Sequence, residues 1–189
     1  MSDRPIRVLV TITIISVALR VGAALYLGND VVALPGTADQ VSYHNLALQV
    51  LNGHGFSFST DWWPATQAGE PTAHWSYLYT LYLTVIYALF GPHPIAARLI
   101  QAIIVGAAHP YLAFQIGRRV FGTATGLVGA ALSAVYAYFI YYGATLMTES
   151  FYILAVMGTL MLALRISTSA SPYRDGLREW GLLGVSLGT

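Results

Sequence analysis

Long apolar runs alternate along this chain with short polar stretches, on a length scale set by a lipid bilayer. The run over 8–27 is about 20 residues long, enough for a helix to cross ~30 Å of hydrocarbon, and holds one charge, Arg20, in its second half. Further apolar runs cover 76–90, 94–117, 123–142 and 146–164, and a last one begins at Gly181. Between the first two lies 28–75, a loop holding Asp30, Asp39, Asp61 and Glu70 and no basic residue. The pattern predicts an all-α, polytopic transmembrane helical bundle in one domain, with spans at 8–27, 94–117, 123–142 and 146–164 and the start of another at 181.

Composition supports that reading. With 56% hydrophobic and only 9% charged residues, the chain cannot cover a globular surface with polar groups, so lipid must cover the rest. Net charge is +1, with nine arginines, no lysine and no basic tract, so nucleic acid is not an expected partner. Lack of cysteine excludes disulfides and thiolate metal sites. The N-terminal apolar run is too long for a signal peptide and lacks a small-residue cleavage site, so it reads as an uncleaved first span.

Arginine placement predicts orientation. Arg4 and Arg7, then Arg118 and Arg119, then Arg165, Arg174 and Arg178 flank the spans, and such clusters stay cytoplasmic. The acidic loop 28–75 then faces outward. Keeping all three clusters inside requires an even number of crossings between Arg7 and Arg118, yet three apolar runs lie there. The run that does not cross is 76–90, which is short, carries Tyr77, Tyr79, Tyr82 and Tyr87, and ends in Gly91-Pro92-His93-Pro94. It is expected to be re-entrant or interfacial; if it crosses, Arg118 and Arg119 face outward. Gly122, Gly126, Ala130 and Ala134 recur at every fourth position, a stripe for close helix packing in lipid. Tyr136, Tyr138, Tyr141 and Tyr142 read as an interfacial aromatic belt. No internal repeat is visible, and an end within an apolar run suggests a piece of a larger bundle.

Within the loop, Tyr43, Leu46, Ala47, Val50 and Leu51 share one helical face, with Gln40, Asn45, Gln49 and Asn52 mostly opposite. This predicts an amphipathic helix lying on the membrane, stopped by Gly53 and started by a capping box of Thr37 and Gln40. Asp39 then either complements that helix's N-terminus or acts as general base toward an acceptor hydroxyl. Arg98, with Gln101 and His109 on roughly its own face, either snorkels outward or binds a phosphate or other anionic headgroup. Arg20 has the same options, snorkelling being the simpler. Glu149 is a helix N-terminal partner or a second acid that positions an acceptor, binds a metal or pairs with Arg98. His44, His54 and His74 lack short metal-ligand spacing.

The segments Leu19-Arg20, 38–47 (ADQVSYHNLA) and 51–57 (LNGHGFS), then 97–102 (ARLIQA), 117–122 (GRRVFG) and 146–150 (LMTES), occur in an order that resembles the N-terminal part of GT-C glycosyltransferases. The branch they resemble is family 39, with its protein mannosyltransferases and aminoarabinose transferases. The resemblance implies a membrane enzyme that moves a sugar from a polyprenyl-phosphate carrier to a protein, lipid or glycan acceptor on the outer face of a bacterial inner or plasma membrane. It implies Asp39 and Glu149 as catalytic acids and Arg98 as the residue that meets the donor phosphate. Tyr43, His44 and His74 complete the expected substrate-binding set. No cofactor is required, and a divalent metal stays an option. Two features depart from the pattern. His74-Trp75-Ser76-Tyr77 stands where relatives carry a proline pair or Arg-Pro before a tyrosine, and family members continue through many more spans. The competing readings are a non-catalytic membrane subunit or degenerate fragment and, more remotely, a transporter.

Overall fold

A computed structural model describes residues 3–64, 66–167, 181 and 184. Among the described residues seven helices follow in order: α1 (Asp3–Leu27), α2 (Asp39–Leu51), α3 (Tyr77–Phe90), α4 (Pro94–Phe121), α5 (Thr123–Val135), α6 (Ala137–Ala144) and α7 (Glu149–Ser167). Extended pairing among the described residues is limited to two isolated bridges in the loop before α3, so the fold is all-α. Three stretches, Arg4–Leu27, Pro94–Phe121 and Glu149–Ser167, are long and apolar enough to cross a membrane, and α5 with α6 makes a bent fourth. The molecule is a polytopic helical bundle. The run expected to begin at Gly181 lies, but for Gly181 and Gly184, outside the described residues.

The axis of the bundle is α4, which packs against α1, α3, α5, α6 and α7. It starts cleanly because Pro94 sits at its first turn, where a missing N–H costs nothing. Its far end meets α5 through glycines. A Cβ on Gly126 would lie 2.7 Å from Phe114 O, and one on Gly117 would lie 2.8 Å from Gly126 Cα. The small-residue stripe therefore does what its spacing predicts, bringing two backbones into direct contact. By contrast α3, at 14 residues, is only ~21 Å long, short of the ~30 Å hydrocarbon thickness.

Three expectations need correction. First, the run read as one span over 123–142 is broken at Tyr136, and its two halves are bent by 52°. No proline or glycine causes the break. Instead the guanidinium of Arg20 enters from α1, donating to Ala134 O at 3.1 Å and Ser133 O at 3.0 Å, the carbonyls that the break leaves without helical partners. Second, Arg20 does not snorkel. It is 0% exposed, held also by Ser16 Oγ at 2.6 Å and Ser16 O at 3.1 Å. Its stem has room only because Gly106 and Gly143 lack side chains; a Cβ on either would come within 3.3 Å of Arg20 Cδ. Third, α2 has no capping box. Its N-cap is Ala38, without a side-chain cap, and Gln40, expected on the polar face, is 0% exposed. The buried face of α2 runs through Gln40, Tyr43, Leu46 and Ala47, while Leu51 is 37% exposed.

Candidate active site

Two polar residues of α4, one turn apart, set the geometry at its N-terminal end. Arg98, 0% exposed, donates through Nη1 to Leu27 O at 3.1 Å and Gly28 O at 2.7 Å, and through Nη2 to Asp30 O at 2.7 Å and Gln40 Oε1 at 3.2 Å. It thus caps the carbonyl end of α1, whose last turn closes on Gly28 at φ 56°, a conformation that favours glycine. Through Gln40 it also grips α2. Gln40 spends its amide on Val32 O at 2.5 Å and Thr37 Oγ1 at 3.3 Å, so the loop from 30 to 37 and the first turn of α2 hang from one buried guanidinium.

Gln101 does the same for the other side. Its Nε2 donates to Tyr142 O at 3.0 Å and Thr145 O at 2.8 Å, at the end of α6, and its Oε1 accepts from Tyr79 Oη at 2.8 Å. That fixes the short buried connection from α6 into α7, which begins at Glu149. Tyr141 and Tyr142, read from sequence as belt residues, reach back to the loop, donating to Pro35 O at 2.9 Å and Gly36 O at 3.4 Å.

Asp39 and Glu149 are therefore the first residues of α2 and α7, two helices positioned from the same stretch of α4. Tyr43 lies one turn beyond Asp39. Its Oη accepts from Ser76 N–H at 3.5 Å, at the start of α3, and is hydrogen-bonded to the Thr148 side chain, and its ring meets Tyr79 edge-on at 5.0 Å. Burial raises the Tyr43 phenol above its ordinary range; the hydrogen bonds from Ser76 and Thr148 oppose this, and the carboxylates of Asp39 and Glu149 both add to it. A single hydroxyl thus lies within the field of both acids. Asp39 is exposed, and Glu149 is half-buried with its Oε2 shut away and unpartnered. Beside them opens a cavity of about 720 Å³ between α3 and α7. Tyr79, Tyr82, Val85, Ile86, Phe151 and Ala155 line its apolar length, and Ser76 and Thr148, the two partners of Tyr43, stand at its polar end.

Tyr43 lies one turn beyond Asp39 and is hydrogen-bonded to Thr148, the residue before Glu149, so the three belong to one region of the fold. The structure does not present Arg98 to a ligand there, because its terminal nitrogens are occupied by four protein acceptors. His44 is turned toward α3, its Nδ1 2.8 Å from Tyr87 Oη. Burial, and then the charge of Arg98, hold its imidazole below the ordinary range. His74 belongs to the far side of the loop, its ring 4.6 Å from that of Trp75. Gln40 and Thr148 lie within the segments 38–47 and 146–150 but were given no place in the site, Gln40 being read as a capping residue on the polar face. Gln101 was noticed only as sharing a face with Arg98. Among the described residues no three His, Asp or Glu side chains converge as a metal site.

The sequence model of a family described as dolichyl-phosphate-mannose-protein mannosyltransferase matches residues 75–189, more than half of the chain. The chain belongs to that family. Comparison with curated proteins and with solved structures gave no match. As a member of the dolichyl-phosphate-mannose-protein mannosyltransferase family, this bundle is of GT-C type, in a family of membrane glycosyltransferases that draw sugar from polyprenyl-phosphate carriers. The match begins at Trp75, so it includes Arg98, Gln101, Thr148 and Glu149, while Asp39, Tyr43, His44 and His74 precede it.

Proposed function

We propose that this chain transfers a sugar from a polyprenyl-phosphate donor to an acceptor hydroxyl on the extracytoplasmic face, with 28–75 outward and α3 lying at the outer interface without crossing. The observation that carries the reading is the Tyr43–Thr148 hydrogen bond, which ties the helix that starts at Asp39 to the helix that starts at Glu149 beside the α3–α7 groove that Ser76 and Thr148 help to line. The groove is apolar along its length, as a prenyl chain requires, and its polar end is where a headgroup would come to rest. Asp39, exposed at the N-terminus of α2, accepts the acceptor hydroxyl's proton as that oxygen bonds to the anomeric carbon. The bond from that carbon to the phosphate oxygen breaks, its electron pair leaves on the lipid phosphate, and the configuration inverts. Glu149 stands across the groove mouth and orients the acceptor. Arg98 acts as a positioning residue: by holding Gln40 and the α1 terminus it sets where Asp39 stands.

The test is transfer from a radiolabelled polyprenyl-phosphate mannose in proteoliposomes carrying the full chain. Asp39→Asn is expected to lower turnover by ~10²–10⁴-fold, the usual range for a positioned general base. The melting temperature should stay put, because the side chain is exposed. Unaltered turnover would remove Asp39 from the mechanism.

A further inference from the structure

The outer loop carries a second concave surface that the transfer chemistry does not use. Between 56 and 72 the chain doubles back on itself: Thr72 N–H donates to Phe56 O and Gly69 N–H to Phe58 O, both at 2.8 Å, and Trp62 and Thr66 exchange backbone bonds of 2.8 and 3.0 Å. One side of this hairpin is fastened to the bundle. Phe58 stacks on Trp62 at 4.8 Å, Trp75 meets Phe58 edge-on at 5.1 Å, and Trp62 Nε1 donates to Ser42 Oγ at 2.9 Å. The other side opens into a cavity of about 590 Å³, walled by Pro64 and Pro71 and bordered by Gln67, Glu70 and His74.

Beside that cavity stands Trp63, 76% exposed, with its ring edge-on to His74 at 6.2 Å. A lone exposed aromatic needs no explanation; its neighbours here do. Gln67, Glu70 and His74 are exposed, and within the described residues their side chains make no hydrogen bond. Together they offer an amide that both donates and accepts, a carboxylate that accepts, and a ring nitrogen of either kind. A pyranose asks for this combination: a flat apolar ring to cover its C–H face and planar polar groups for its hydroxyls. A phosphate would meet Glu70 and no basic residue anywhere in 28–75. A lipid anchor would bring a carboxylate and an amide toward the hydrocarbon. We propose that the hairpin over 56–74 is a saccharide-binding surface, with Trp63 as the stacking platform and Gln67, Glu70 and His74 as the hydroxyl-reading groups.

The experiment titrates the full chain in lipid nanodiscs with methyl α-mannoside and with a linear mannotriose, following tryptophan fluorescence. Saturable quenching is expected with half-saturation of order ~1 mM, a typical affinity for a shallow polar site. It should weaken at least ~10-fold in Trp63→Ala and several-fold in Glu70→Gln, and persist in Trp63→Phe detected by calorimetry. Equal affinity for both probes would identify a one-ring surface sized for a donor sugar, and a clear preference for the trisaccharide would identify an acceptor glycan. Three results overturn the proposal: no saturable signal up to ~100 mM, a signal unchanged in Trp63→Ala, or Trp63-dependent emission quenched by brominated phosphatidylcholine, which would place the indole in lipid. Asp39→Asn should bind both probes like the parent chain. The saccharide surface and the transfer reaction therefore fail or stand separately.

Discussion

The buried cations of this bundle and the carboxylates that begin α2 and α7 live under different conditions. Arg20 and Arg98 are each 0% exposed, and each places four hydrogen bonds from its terminal nitrogens onto protein acceptors, half of them carbonyls at the ends of helices. Asp39 is exposed, and Glu149 keeps a buried oxygen without a partner. A charge buried in a bundle persists only if its surroundings replace water, and irregular backbone there persists only if something replaces its lost helical bonds. Each arginine serves both needs through its terminal nitrogens, although its buried Nε has no partner. The two acids meet neither, and that leaves them available for a substrate.

Removing Arg98 gives the hardest test of this division. Arg98→Ala would orphan the carbonyls of Leu27, Gly28 and Asp30 together with Gln40 Oε1. At roughly 1–3 kcal/mol for each group left unsatisfied, the loss rivals the whole stability of a typical domain. Little folded protein is expected by size-exclusion in detergent. Arg98→Lys should not restore it, since one ammonium cannot span acceptors on three segments. A well-folded Arg98→Ala chain that has lost only donor affinity would return Arg98 to the phosphate and collapse the distinction. Glu149→Gln is the converse case. The shape is kept and the charge removed, so turnover should fall by ~10²-fold, or about 2.7 kcal/mol of barrier, with stability unchanged. A Glu149→Gln chain that fails to fold would show that this acid too is a structural partner.

How much of this could be read from sequence follows from the kind of interaction involved. Apolar runs long enough to span a bilayer identified α1, α4 and α7, and a four-residue repeat of small side chains identified a close-packing face on α5 though not its partner α4, because both are properties of side chains. The break at Tyr136 was invisible. What stabilises it is an arginine more than a hundred residues away bonded to carbonyls, and carbonyls carry no sequence signature. For the same reason the cost of burying Arg98 was legible and its remedy was not. Gln40 was assigned to the wrong face of α2 because polarity alone was read, when its amide is needed inside. Asp39 stood out at the start of an amphipathic loop helix and Glu149 at the start of an apolar run, but that the two helix starts are positioned by Arg98 and Gln101 of one helix could not be read.

Packing sharpens the contrast with effects that involve no charge. At Gly126 a Cβ would meet Phe114 O at 2.7 Å and Arg118 N at 2.8 Å, backbone atoms that cannot step aside. At Gly129 the nearest atom is Ala113 O at 3.8 Å, an ordinary contact. Gly126→Ala is therefore expected to destabilise by about 1–3 kcal/mol, and Gly129→Ala to be neutral or slightly stabilising through helix propensity. Paired thermal melts in one detergent check this. Equal losses at the two sites would mean that helix contacts here are set by something other than backbone approach.

The smallest effect concerns which set His44 joins. It follows Tyr43 in α2, yet its ring faces Tyr87 and its imidazole is held below the ordinary value, about 6.5, by burial first and the Arg98 charge second. The folded chain then takes up this proton less readily than the unfolded chain does. Above pH ~6.5 both forms are neutral at this site, and it contributes no slope. As pH falls below that value the unfolded chain protonates first, so stability should decline until the depressed folded value is reached. Denaturation midpoints measured over this window should show the decline in the parent chain and a flatter profile in His44→Gln. A parent chain that gained stability on acidification through His44 would place an imidazolium in the field of Asp39 and Glu149, making His44 a member of the acid site and not of the saturated interior.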